Sequence, residues 1–261
     1  MKIGFIGCGN MGSALCSAIN SNEGVSLYIS DANQRKLDET CAMLGAKAST
    51  NAEIAKECDF IFLAVKPNIV PLVAEEIKDI IPASAVVVSM AAGVSTASLA
   101  SYLGDKKIIR IMPNTPVALG KGVVLYCTSG ITNGDEASFV EIMSAVGTLD
   151  KINEVLIDAA SAVSGCGPAF VYMFIEALAD GGVACGLPRD KAMLYACETL
   201  KGASEMVLAT KKHPGQLKDE VCSPGGSTIE GVHALEDGAF RSTVADAVIA
   251  AYEKTKLLGK K

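Results

Sequence analysis

The segment KIGFIGCGNMG, residues 2–12, constrains the fold more than any other stretch of the chain. A short apolar run over 2–6 leads directly into a turn with glycine at positions 7, 9 and 12, and residues 11–21 then carry helical spacing. A strand, a Gly-x-Gly-x-x-Gly turn and a helix form the pattern that cradles a dinucleotide pyrophosphate. Gly7 permits the tight turn, Gly9 lets the pyrophosphate approach backbone N–H groups, and Gly12 lets helix and strand pack closely. A second strand over 25–30 ends at an acidic residue, Asp31, as the pattern requires. Ile6, Gly7, Gly9, Asn10, Met11 and Gly12 are therefore candidate cofactor contacts.

The alternation continues through the first half of the chain. A helix is expected over 35–44, buried strands over 60–65, 86–91 and 108–112, and a helix before each of these strands. Residues 122–128 and 149–152 read as further strands around a helix over 135–146. Aliphatic and β-branched runs alternating with amphipathic helices predict an α/β fold, a Rossmann-type doubly wound sheet with both faces covered. The uncharged stretch 80–100 is long enough to mimic a membrane span. It holds Pro82, Gly93 and the β-branched run Val86-Val87-Val88, and so reads as a buried strand, a loop and a helix start.

After about Asp158 the strand pattern stops. Helices are expected over 168–185, 189–210, 213–222, 228–236 and 240–258, with Pro168 and Pro188 at first-turn positions that tolerate proline. Residues 1–157 are thus expected to form the dinucleotide-binding domain and 158–261 an all-α domain. Residues 169–179 hold a single charge, Glu176. A helix apolar nearly all round is buried in a large core or against a copy of itself. The second half is small, so an obligate dimer built through it is expected.

Composition narrows the class. The chain has 261 residues, half of them hydrophobic and a fifth charged, with a net charge of -6. That balance excludes intrinsic disorder. Non-specific nucleic-acid binding is excluded as well, because the only basic ends, Lys211-Lys212 and Lys260-Lys261, form no phosphate-neutralising patch. Nine cysteines, none spaced as CxxC, accompany only two histidines, so no metal site is expected and the thiols are expected reduced. Four glycines near the start break any signal-peptide core. A cytoplasmic protein without membrane association is the expectation.

Several further segments are candidates for chemistry. Asp31 favours NAD, since a carboxylate holds the ribose 2′-hydroxyl and repels a 2′-phosphate. Ser30, Asn33, Gln34 and Arg35 crowd the same turn, where Arg35 is either a phosphate partner or a solvated surface charge. Ala64-Val65-Lys66-Pro67, Ala91-Ala92-Gly93 and the Asn114 segment Met112-Pro113-Asn114-Thr115-Pro116 end three strands, at the edge where doubly wound sheets bind ligands. Asn51 precedes a helix and is either its cap or part of the site. In the second domain, the turns Ser164-Gly165-Cys166-Gly167-Pro168 and Ser223-Pro224-Gly225-Gly226-Ser227-Thr228 each open a helix and expose N–H groups suited to an anion. His213, beside Pro214, reads as a turn residue and His233 as a mid-helix residue, while Cys8 and Cys222 read as packing thiols.

Five ordered blocks, GFIGCGNMG, AVKP, RIMPNTP, SGCGPAFVYMFIEALADGG and HPGQLKDEVCSPGGSTIEGVHALEDGAFR, give the chain an end-to-end resemblance to the pyrroline-5-carboxylate reductase family. The resemblance implies reduction of 1-pyrroline-5-carboxylate to L-proline with NAD(P)H, the last step of proline biosynthesis. NADPH is favoured by it, and Asp31 leaves NADH open. It implies a Rossmann domain followed by an all-α dimerisation domain, with dimers assembling into decamers. It further implies that Gly226, Ser227 and Thr228 hold the substrate carboxylate through backbone N–H groups, with Gly225 in the same substrate-binding turn. The Thr228 hydroxyl would bond the ring nitrogen as the catalytic contact, with protonation largely from solvent. Lys66, Pro67 and Asn114 would lie near the nicotinamide, Asn51 near the adenosine end, and Glu154 near the substrate. A β-hydroxyacid dehydrogenase shares the two-domain plan, but it needs a lysine and an asparagine where this chain has Val171 and Ile175. An alcohol substrate would lack its acid/base there.

Overall fold

The computed structural model describes residues 1–258; Lys260 and Lys261 lie outside the described residues. The chain forms two compact units, one comprising Met1–Cys166 with the chain from Ala251 onward, the other Gly167–Ala250.

The first unit alternates strand and helix: β1 (Lys2–Ile6), α1 (Asn10–Ile19), β2 (Ser26–Ser30), α2 (Gln34–Leu44), β3 (Lys47–Ala48), α3 (Asn51–Glu57), β4 (Phe60–Leu63), α4 (Val70–Ile77), β5 (Val86–Ser89), α5 (Thr96–Leu103), β6 (Lys107–Pro113), β7 (Gly122–Ser129), α6 (Asn133–Ile142), β8 (Gly147–Lys151) and α7 (Glu154–Ser164). The strands form one sheet of order β3-β2-β1-β4-β5-β6-β7-β8. All neighbours are parallel except β6 and β7. The order reverses between β1 and β4, which is the switch point where a doubly wound sheet opens its ligand crevice. Sequence periodicity missed β3, whose two residues are both exposed and carry no apolar signal.

The sheet is buried on both faces because its strands alternate between two cores. Phe5, Phe62, Val88 and Ile109 point to the side covered by α1 and α6. Ile61, Leu63, Val87 and Ile108 point to the side covered by α3, α4 and α5. Phe5 and Phe62 stack across adjacent strands with centroids 4.5 Å apart. Truncating either to alanine would cost about 3–5 kcal/mol. The uncharged stretch 80–100 is β5, a loop and the start of α5, which Ser95 caps through the Ser98 N–H.

The second unit contains α8 (Gly167–Ala184), α9 (Arg189–Thr210), α10 (Pro214–Glu220), α11 (Ser227–Asp237) and α12 (Phe240–Leu258), the last running on past Ala250. Pro168 is the second residue of α8, whereas Pro188 precedes α9 as its N-cap. Helices α8 and α9 meet through small residues, and the buried cluster there is only Ala179, Ala192 and Ala196. Around it Tyr172, Met173, Leu194 and Leu208 are at least half exposed. The boundary drawn from the sequence between residues 157 and 158 falls inside α7.

Candidate functional site

The glycine turn joins β1 to α1 at the switch point. Gly7 sits at φ 98°, and a Cβ there would lie 2.6 Å from the Ala64 carbonyl oxygen. At Gly12 a Cβ would lie 2.7 Å from the Gly7 carbonyl oxygen. These two glycines are required by the packing of β1, α1 and the exit of β4. Gly9 is different, because a Cβ there would meet nothing within 4 Å. It is the N-cap of α1 and brings no side chain to the first-turn N–H groups of Asn10, Met11 and Gly12. An open face above bare amides at the positive end of a helix fits a pyrophosphate.

Strand register aligns Ile6 with Ser30 and with Leu63, so the ends of β1, β2 and β4 share one edge. At that edge the Asp31 carboxylate accepts from the N–H of Cys8, inside the glycine turn, at 2.7 Å and from the N–H of Asn33 at 2.8 Å. Burial works to raise the Asp31 carboxyl, but these two amides, with the Cys8 thiol and the Lys36 charge, together hold the group below the usual carboxylate range. Cys8 is fully buried, and burial together with the Asp31 charge pushes its thiol up to about 11, which leaves it neutral.

The Ser30 hydroxyl donates to the Asn51 side-chain oxygen at 2.6 Å, and the Asn51 amide donates to Glu76 at 2.8 Å. Asn51 is the first residue of α3, not its cap; Thr50 caps the helix in a reciprocal box with Glu53. Arg35 is paired with Glu39, one helical turn along, at 2.8 Å.

The other strand exits also reach this edge. Ala64 donates its N–H to the Ile6 carbonyl, and Lys66 opens a short 3-10 turn through Pro67. Val65 follows β4, and its Cγ1 lies 3.0 Å from where a Gly7 Cβ would sit. Ala91 is buried after β5, Ala92 packs on the cluster of Met112 and Leu125, and Gly93 takes φ 74°. Asn114 is engaged differently. Its buried amide accepts from the Val123 N–H at 2.8 Å and donates to the Ser164 carbonyl at 2.9 Å, tying the end of β6 to β7 and α7.

Glu154 likewise has defined partners in the first unit. It accepts from the Thr96 N–H and hydroxyl at 2.7 and 2.6 Å and from Arg110 at 3.2 Å. Arg110, 3% exposed, also donates to Asp158 at 2.7 Å. Sequence reasoning missed Thr96, Arg110 and Asp158, whose spacing carries no recognisable motif. An arginine in an otherwise apolar strand was the one available signal.

In the second unit Gly225 takes φ 66°, and a Cβ on Gly226 would collide with the Ser223 hydroxyl. The turn therefore delivers Gly226 as the N-cap of α11 without a side-chain cap, with Ser227 and Thr228 in the first turn. Thr228 also borders an apolar cavity of about 720 Å³ whose walls include Phe170, Phe174, Val232, Leu235 and Phe240. His213 caps α10, its ring nitrogen Nδ1 accepting from the Gly215 N–H at 3.1 Å, and His233 is exposed on α11. Among the described residues no group of three or more His, Cys, Asp or Glu side chains is placed to hold a metal.

Residues 154–258 match the family described as pyrroline-5-carboxylate reductase dimerisation, and residues 2–93 match NADP oxidoreductase coenzyme F420-dependent. The chain is 42% identical to pyrroline-5-carboxylate reductase of Escherichia coli (strain K12), over 99% of this chain and 98% of that one. It is 40% identical to the Arabidopsis thaliana enzyme of the same name, over 99% and 96% of the two chains. The crystal structure of Plasmodium falciparum pyrroline carboxylate reductase with NADP bound superposes with a TM-score of 0.91 at 37% identity, covering 99% of this chain and 98% of that one.

Proposed function

This chain belongs to the pyrroline-5-carboxylate reductase family, and from that premise we propose that it reduces the cyclic imine 1-pyrroline-5-carboxylate to L-proline with NAD(P)H, the final step of proline biosynthesis. The observation that carries the reading is relatedness over the whole length, which takes in both the nucleotide turn at Gly7–Gly12 and the second-unit turn at Gly225–Thr228.

The residues at hand suit this chemistry. The amides opening α1 bind the pyrophosphate, and Ser30, Asp31, Arg35 and Asn51 surround the adenosine end. Ala64–Pro67, Ala91–Gly93 and Asn114 shape the strand-exit edge, where Asn114 acts by fixing backbone. When bound, the reduced nicotinamide supplies the hydride. The amides of Gly226, Ser227 and Thr228 hold the substrate carboxylate at the positive end of α11, where an anion is favoured. The Thr228 hydroxyl orients the ring nitrogen. A protonated imine is already electrophilic, so orientation matters more than a strong acid, and the proton comes from solvent. Glu154 acts through Thr96 and Arg110, as a positioning group for the loop that ends β5.

The protein is a homodimer. A buried cluster of three alanines is too small to hold the second unit's helices together, and a second copy covers its exposed apolar faces. The helical stretch Glu154–Ala184 is long enough to cross a membrane and holds an 18-residue window with a mean hydropathy of 1.4, of which only 11% is buried within one protomer. We assign the exposed apolar surface of its α8 part to the dimer, and extend the proposal to a cytoplasmic enzyme whose dimers group into decamers.

The test is oxidation of NADH and NADPH by the purified protein with 1-pyrroline-5-carboxylate, alongside hydroxyacids assayed in reverse. Imine-dependent turnover is expected. Its absence with both dinucleotides refutes the reading. Thr228→Ala should lower kcat/KM for the imine about tenfold or more, the worth of a hydrogen bond to a charged group; an unchanged value removes the role given to Thr228.

A further inference from the structure

We infer that this enzyme discriminates in favour of NADH over NADPH, and that Asp31, anchored on the glycine turn while Ser30 and Arg35 are committed elsewhere, is the residue that decides it. The inference rests on the dinucleotide site proposed above and names which of the two coenzymes that site takes.

The coenzymes differ by a 2′-phosphate on the adenosine ribose, beside the end of β2 in a doubly wound sheet. NADH presents a hydroxyl there, which donates to a carboxylate; NADPH presents a group of about two negative charges that needs donors. Three side chains between the end of β2 and the first turn of α2 are relevant. Asp31 is an acceptor only, and the Cys8 and Asn33 amides hold it against the turn at 2.7 and 2.8 Å. The Ser30 hydroxyl has spent its one hydrogen on Asn51, 2.6 Å away, and Asn51 leads on to Glu76, another carboxylate. Arg35, the residue best shaped for a phosphate, pairs instead with Glu39 at 2.8 Å, with 87% of its side chain exposed.

The remaining charges do not reverse this balance. Gln34 donates to Asp38 along the outer face of α2. Lys36 is half-buried, and its charge already bears on Asp31, helping to lower that carboxyl. A 2′-phosphate would therefore meet an ionised carboxylate fixed in place, with the Ser30, Gln34 and Arg35 donors turned to other partners and the Lys36 charge offset by Asp31 itself. A ribose hydroxyl would meet an acceptor already aligned.

The experiment is calorimetric titration of the full-length apo-enzyme with NADH and with NADPH, without imine, on wild type, Asp31→Asn and Asp31→Glu. Wild type should bind NADH roughly tenfold or more tightly than NADPH, the worth of one charge-assisted hydrogen bond. The amide introduced by D31N keeps an oxygen for the Cys8 N–H but loses the charge, so this variant should erase most of that ratio, whereas D31E should retain it. The ratio is insensitive to general loosening of the turn, which weakens both complexes alike. Wild-type preference for NADPH overturns the inference, and Arg35→Ala then reports whether the guanidinium has left Glu39 for the phosphate. An unchanged ratio in D31N removes Asp31 as the deciding residue. Failure of both dinucleotides to bind defeats the nucleotide-site reading and this inference together. Normal binding without imine turnover defeats only the proposed substrate.

Discussion

Replacing Arg110 by methionine tests whether the buried cluster between β6 and α7 is a fixed part of the first unit. The Arg110 side chain is 4% exposed and holds Glu154 at 3.2 Å and Asp158 at 2.7 Å, whose side chains are 29% and 28% exposed. Methionine keeps much of the volume, so the loss is mainly electrostatic, with two carboxylates left mostly buried without their shared cation. Removing one partner of a buried ion pair costs about 3–5 kcal/mol, and the partial exposure of the two acids places this case near the lower end, about 3 kcal/mol. With a urea slope of about 3 kcal/mol per molar, the unfolding midpoint should fall by about 1 M. Midpoints must be compared at one protomer concentration, because dimerisation contributes to them.

The pH dependence separates this explanation from simple loss of packing. Burial works to raise the Glu154 carboxyl, but the bonds from Thr96 and Arg110 outweigh it and hold the group below the usual range. A carboxyl depressed in the folded state contributes stability that is complete above its unfolded pKa and is lost as pH falls through its folded pKa. Without Arg110 the Glu154 carboxyl loses the cation that helps hold it down, so its pKa rises and protonation relieves the variant. Its deficit should therefore be largest at neutral pH and shrink as pH approaches the carboxylate range, about 4. Arg110→Lys should recover part of the loss, since it restores the charge but not the two-pronged geometry. A deficit below about 1 kcal/mol, the size expected of an exposed pair, would refute the reasoning, as would one that is equal at neutral and acid pH.

Gly9→Ala should leave thermal stability unchanged, since its φ is -58° and nothing lies within 4 Å of the added Cβ, yet weaken dinucleotide binding by titration at least tenfold. Gly7→Ala should instead lower Tm sharply, because φ 98° and the Ala64 carbonyl 2.6 Å away leave no room for a methyl group. Equal effects of the two on Tm would contradict the assignment of one glycine to the fold and the other to the ligand. Met173→Glu, at a residue 69% exposed in the protomer and lining the apolar cavity, should convert the dimer to a monomer or aggregate on size-exclusion chromatography with light scattering. A stable dimer of this variant would place the interface elsewhere.

Much of the fold was legible because it rests on local pattern. Val86-Val87-Val88 in the stretch 80–100 became β5, since a β-branched run bounded by Pro82 and Gly93 has few other uses. β3 was not legible, because a two-residue exposed strand has no periodicity to read. The site divides in the same way. Glycines that a turn or a close approach demands can be read from spacing alone. The partners of Asn51, Asn114 and Glu154 could not, since the bonds to Glu76, Val123 and Thr96 join residues 25, 9 and 58 positions apart.

The sequence by itself determined that a strand, a glycine turn and a helix bind a dinucleotide, that a doubly wound sheet precedes a helical region, and that the family is pyrroline-5-carboxylate reductase. The first two depend on residue type at short, regular spacing, where backbone sterics and hydrophobic periodicity act, and the third on the resemblance carried by five ordered blocks from Gly4 to Arg241. Only the tertiary structure decided what the polar side chains are already doing. It turned Arg35 onto Glu39, spent the Ser30 hydroxyl on Asn51 and fastened Asp31 to the Cys8 amide. A hydrogen-bonding group has few partners to give, and which partner it takes depends on distances that exist only once the chain has folded.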